Sequence, residues 1–128
     1  MWRDDDGSAV AEFTLVGVMV TLLFLAVLQL GIDLYARNVL ASCAADGARY
    51  GANADIASPE AGAERARELA ERTLGRLAAV AEVTPSVAAG AGRPVVVVRM
   101  SARLPTAFGL LPALPVHVEG RSLLEGPA

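Results

Sequence analysis

The chain has 128 residues, of which 54% are hydrophobic and 20% charged, with 14 acidic residues against 11 basic ones and a net charge of −3. Every basic residue is Arg, and the arginines are scattered rather than clustered, so a DNA- or RNA-binding role has little support. Cys43 is the only cysteine, which excludes an internal disulfide framework.

The first seven residues, Met1 to Gly7, are polar and acidic, with Asp4, Asp5 and Asp6 after one Arg. Phe13 to Ile32 then form a 20-residue run without a charge, bounded by Glu12 and Asp33. As a helix this run rises about 30 Å, the thickness of a bilayer's hydrocarbon core. Its apolar residues go round the whole circumference, and the polar exceptions, Thr14, Thr21 and Gln29, are mild. The run therefore reads as a membrane span. A cleaved secretory signal is disfavoured, because the leader is acidic and the apolar run too long. Leu40-Ala41-Ser42-Cys43 has the form of a lipobox, but Asp33, Arg37 and Asn38 separate it from the apolar run. Arg3 before the span and Arg37 and Arg49 after it leave the orientation undecided by charge alone.

Helical character is expected to continue through residues 33 to 52, which contain no Pro and many good helix formers. Phe13 to Ala52 would then make a rod of about 60 Å, half of it beyond the membrane. Ala44, Ala48 and Ala52 recur every fourth residue, as do Cys43, Gly47 and Gly51. Such a face of small side chains lets another backbone come close, either the protein's own sheet or a neighbouring subunit. Cys43 itself reads as a small buried residue, with an intermolecular disulfide as the other possibility.

Residues 53 to 57 break the pattern, and Ser58-Pro59-Glu60 restarts it with a capping Ser, Pro in the first turn and an acid at the positive end of the helix dipole. Ala66, Leu69, Ala70, Thr73, Leu74, Leu77, Val80 and Ala81 follow a helical stripe, with Glu64, Arg67, Glu68, Glu71 and Arg72 opposite. Glu82 to Val87 is expected as a short strand that Pro85 confines to an edge. Pro94 to Leu104 alternates, with Val96, Val98, Met100, Ala102 and Leu104 on one face and Val97, Arg99, Ser101 and Arg103 on the other. Val116 to Leu124 begins as another alternating strand. The loop between these two strands, Thr106 to Pro115, is unusually apolar, as if to cap the core, touch the membrane or meet a partner. The expected fold class is α+β: a long N-terminal transmembrane helix continuing into a stalk, a second amphipathic helix and a small three-stranded antiparallel sheet. In domain terms this means a leader at 1–7, the transmembrane helix and its extension at 8–52 with the span at 13–32, and a small α+β domain at 53–128.

No catalytic constellation is legible. His117 is the sole histidine and is placed on an exposed strand face, Gly90-Ala91-Gly92 lacks what a phosphate loop needs, and no metal or cofactor is implied. An enzyme is not expected. The informative feature is Gly7-Ser8-Ala9-Val10-Ala11-Glu12-Phe13, where an acid stands at the threshold of an apolar helix. A carboxylate there is costly to bury and needs a partner. Cleavage after Gly7 would leave a new ammonium on Ser8, and in an array of such helices Glu12 of one subunit could pair with it on the next. The simpler alternative is a Glu12 that snorkels to the interface near the helix N-terminus.

This junction followed by a span resembles the processing motif of the TadE-like family, minor pseudopilins of the type IVb (Flp/Tad, tight adherence) pilus system. Tyr35-Ala36-Arg37-Asn38-Val39-Leu40 with Ala44-Ala45-Asp46-Gly47-Ala48-Arg49-Tyr50 is similar to the stretch that follows the membrane helix in that family, and Val95 to Arg99 through Arg121 also fits. The resemblance implies a pilin-like α+β fold with an extracytoplasmic stalk, a cytoplasmic leader cut between Gly7 and Ser8 by a prepilin peptidase, with Glu12 guiding processing or subunit docking, and a C-terminal domain outside the cell membrane. It further implies a major Flp-type pilin, a second minor pseudopilin, a secretion ATPase and membrane platform proteins as partners, besides membrane lipid. The competing expectation is a signal-anchored extracytoplasmic binding module unrelated to pili.

Overall fold

The computed structural model describes residues 2–77, 79–106 and 112–126. Its elements in chain order are helix α1 (Trp2–Ala52), helix α2 (Pro59–Leu74), a 3-10 turn (Gly75–Leu77), and strands β1 (Ala79–Ala89), β2 (Pro94–Leu104) and β3 (Leu114–Leu123). The fold is α+β, with a long apolar N-terminal helix, a second helix and a small antiparallel sheet. Chain contacts divide it into two units, Met1–Ile32 and Asp33–Ala128.

The first unit is helix alone. Large apolar side chains stand exposed along it, among them Phe13 at 80%, Leu23 at 66% and Phe24 at 65%. A soluble core helix of this composition would be sunk in its own protein, whereas none of this apolar stretch is. The helix is long and apolar enough to cross a membrane. Its threonines fit that reading, because Thr14 Oγ1 donates to the Val10 carbonyl and Thr21 Oγ1 to the Gly17 carbonyl, each at 2.8 Å. Neither hydroxyl is left to face hydrocarbon unpaired.

The second unit is compact. The strands lie in the order β1-β2-β3, both pairs antiparallel. Val96, Val98, Met100, Ala102 and Leu104 of β2 point to one face and are buried there with Ala36, Leu40, Ala44, Ala48 and Ala52 of α1 and Ala66, Ala70 and Leu74 of α2. The alternation expected for β2 thus sets the core, and its span agrees with the expected residues. Val97 lies on the opposite face, as the alternation places it, between Ser86 and Arg121, and is only 2% exposed there.

Local chemistry explains the element ends. Ser58, in extended geometry, accepts a hydrogen bond from the Ala61 amide at 3.2 Å, and Pro59 occupies the first helical position. The helical stripe expected to run to Ala81 stops earlier, at Leu74. Gly75 takes φ 52° and its amide bonds the Glu71 carbonyl, which ends α2 in a left-handed turn that glycine adopts at little cost. The residues beyond are thereby released into β1, which is longer than expected and reaches Ala89. A register shift between Val80 and Glu82 accommodates the change of direction. Pro85 is tolerated because β1 is an edge strand, as its sequence requires. Of the apolar loop expected at Thr106 to Pro115, residues 107–111 lie outside the described residues, and Leu114 and Pro115 belong to β3, which starts two residues earlier than expected.

Candidate functional site: the helix junction and the small-residue face

Gly7, Ser8 and Glu12 all lie on α1, within one unbroken helix that begins at Trp2. All three are exposed, and a Cβ built on Gly7 would meet nothing within 4 Å. Glu12 borders Phe13 and the exposed apolar surface beyond it. The carboxylate stands one turn after Ser8, on a helix whose surface no described residue covers at that point.

The small-residue positions behave differently. A Cβ on Gly47 would come within 2.5 Å of the Gly62 carbonyl oxygen and 2.6 Å of the Ala66 Cβ. At Gly51 it would lie 2.8 Å from the Ser58 carbonyl oxygen and 3.1 Å from the Gly62 Cα. Here the backbone of α2 rests on α1, with Gly62 as the reciprocal gap. On a neighbouring face, Gly120 of β3 is pressed against α1, where an added Cβ would overlap the Ala44 carbonyl group and the Ala45 nitrogen. Glycine on three elements lets two helices and a sheet share a core made largely of alanine.

Cys43 is 6% exposed beside this contact. Burial raises its thiol pKa above the ordinary value, and the charge of Asp46 adds to the shift. The thiol is thus kept protonated and unreactive toward oxidants that need a thiolate. An open groove of about 360 Å³ runs beside it between α1 and α2, past Tyr35, Val39 and Leu69.

One arrangement was not legible in the sequence. On the face of the sheet away from the helices, Glu119 accepts from Arg99 Nε at 2.7 Å and from Arg121 Nε. The two guanidiniums hold its carboxyl below the usual pKa. The alternation of Glu119 and Arg121 was visible, but the third member came only with the register, which sets Arg99 opposite Glu119. His117 is exposed on the same face, opposite Ser101.

Neither the curated proteins nor the solved structures yield a match to this chain. A family model does: residues 7–49 match the TadE-like protein family. The matched segment begins at Gly7, takes in Ser8, Glu12 and the whole apolar run, and ends within the small-residue face that α2 covers. Over residues 7–49, therefore, this chain is similar to the TadE-like protein family.

Proposed function

We propose that this chain is a minor pseudopilin, a structural component in the assembly of a Flp/Tad-type pilus rather than an enzyme. In this reading a prepilin peptidase cuts between Gly7 and Ser8, the helix stays in the cell membrane, and the compact unit from Asp33 onward lies outside it. The new Ser8 ammonium and Glu12 of adjacent subunits pair where the helices pack. The partners are a Flp-type major pilin, a second minor pseudopilin and the pilus platform proteins.

The observation that carries the reading is the coincidence of the family match with the junction: the match opens at Gly7, and Glu12 stands four residues after Ser8 at the edge of an uncovered apolar helix. An acid in that position costs desolvation unless a cation meets it, and no basic residue follows it before Arg37. A processed amino terminus on a neighbour supplies that cation.

The test has two readouts. Intact-mass analysis of the membrane-extracted protein is expected to find a mature chain beginning at Ser8; retention of residues 1–7 would sink the processing step. Glu12→Ala is expected to leave membrane insertion intact while abolishing pili, and normal piliation in that strain would rule out the pairing. Normal piliation in a strain lacking the whole gene would instead favour an anchored binding module.

A further inference from the structure

The helices cover one face of the sheet and leave the other open, and the open face gathers arginine. The unit from Asp33 onward is balanced in charge, with ten arginines and ten acids. Its open sheet face is not: Arg99, Arg103 and Arg121 stand there against Glu82 and Glu119. Glu119 takes the Nε hydrogens of Arg99 and Arg121, and the terminal nitrogens of both make no hydrogen bond among the described residues. Arg103 is exposed and joins no ion pair among the described residues.

The spacing selects the ligand. At about 3.3 Å per residue, Arg99 and Arg103 lie about 13 Å apart along β2, too far for one small anion to bridge. Between them come Ser101 and, across the ladder, His117, while Thr84 flanks Arg99 on β1. Cations thus alternate with neutral hydrogen-bonding groups along a flat row, and two carboxylates are interspersed. Duplex DNA, with a charge about every 1.7 Å, sets more of its charge against those carboxylates than a more sparsely charged polymer does. A chain of sugars carrying a single carboxylate each, with hydroxyls between, matches both the sparse charge and the polar groups. Guanidinium binds carboxylate through paired N–H donors.

We propose that this face binds an acidic polysaccharide laid along β2 and β3, with its carboxylates on Arg99, Arg103 and Arg121 and its hydroxyls on Ser101, Thr84 and His117. The test uses the full chain in nanodiscs of zwitterionic lipid, with polygalacturonate as the probe and dextran as its neutral counterpart. Saturable, salt-sensitive binding of polygalacturonate is expected, weakened by at least about tenfold in the Arg99→Gln/Arg121→Gln double variant, since each lost charged hydrogen bond contributes appreciably. Glu119→Gln removes the competing carboxylate and should tighten binding several-fold, a gain that misfolding cannot produce. The proposal is overturned by undiminished affinity in the double variant, by weaker binding in Glu119→Gln, by equal binding of dextran, or by tighter binding of duplex DNA or anionic vesicles.

Discussion

Helix α1 is one element with two kinds of surface. Up to Phe24 every described side chain along it is exposed, and from Ala36 onward a face of it is buried at 0% exposure in places. Helix propensity does not separate the two stretches; side-chain size does. Leu, Val and Phe dominate the first, where nothing in the chain approaches, and Ala, Gly and Cys dominate the second, where another backbone does. Large apolar residues left bare ask for lipid, whereas small ones ask for a close neighbour. A helix read only for its apolar content would miss that distinction.

The same substitution in the two stretches is the sharpest way to break this comparison. Leu40 is fully buried and Leu23 is 66% exposed. Leu40→Ala should cost about 2–5 kcal/mol, the usual range for a core cavity. Leu23→Ala should change stability by about 0.5 kcal/mol at most. Urea unfolding of the detergent-solubilised chain, followed by circular dichroism, measures both. Equal losses would mean that the second stretch is no more embedded than the first.

A second substitution tests whether close approach, rather than apolarity, holds the compact unit. Valine has a far higher strand propensity than glycine, so propensity alone says that Gly120→Val stabilises β3. The structure says the reverse. The added Cβ would overlap the backbone of Ala44 and Ala45, which cannot swing aside as a side chain would. A loss of about 3 kcal/mol, the upper end for overpacking, is expected in the same unfolding assay. No loss would mean that α1 does not press on β3.

How much of this was readable beforehand follows from the range of each interaction. The long apolar helix was legible because apolarity on every side of a helix is a local property. So was the start of α2, since Ser58, Pro59 and Glu60 act within one turn of it, and so was β2, whose alternation is intrinsic. The end of α2 was misread, because the apolar stripe continues past Gly75 while the backbone at Gly75 does not. The identity of the element meeting Gly47 and Gly51 was open, since a small-residue face does not name its partner; Gly62 had no signal until it was seen against them. The Arg99–Glu119 pair lies twenty residues apart and depends wholly on register. The pattern of Gly7, Ser8 and Glu12 is visible in the sequence because the three lie close together in the chain.

The cap of α2 offers a smaller effect that tests a local reading against a tertiary one. Ser58→Ala removes the acceptor for the Ala61 amide and should cost about 1 kcal/mol. Ser58→Asp should retain most of that stability, because a carboxylate serves the same amide and favours the helix dipole. If both variants lose equally, the contact of the Ser58 carbonyl region with Gly51 matters more than the cap.

The smallest effect belongs to the open sheet face and is readable only as a function of pH. Arg99 and Arg121 lower the pKa of Glu119 below its ordinary value of 4.5. The folded state therefore binds this proton less readily than the unfolded chain does. The stabilisation is fully present above the unfolded value and is lost as pH falls through the lower folded value. The stability difference between the native chain and Glu119→Gln should be flat near neutrality and shrink below about pH 4.5. Because the group stands at the surface, the difference should also fade in high salt. A difference that persisted unchanged into acid would mean that Glu119 acts through packing and not through charge. The arginine pair would then be held by the strand register alone, as the buried half of α1 is held by its small residues, and not by the carboxylate between them.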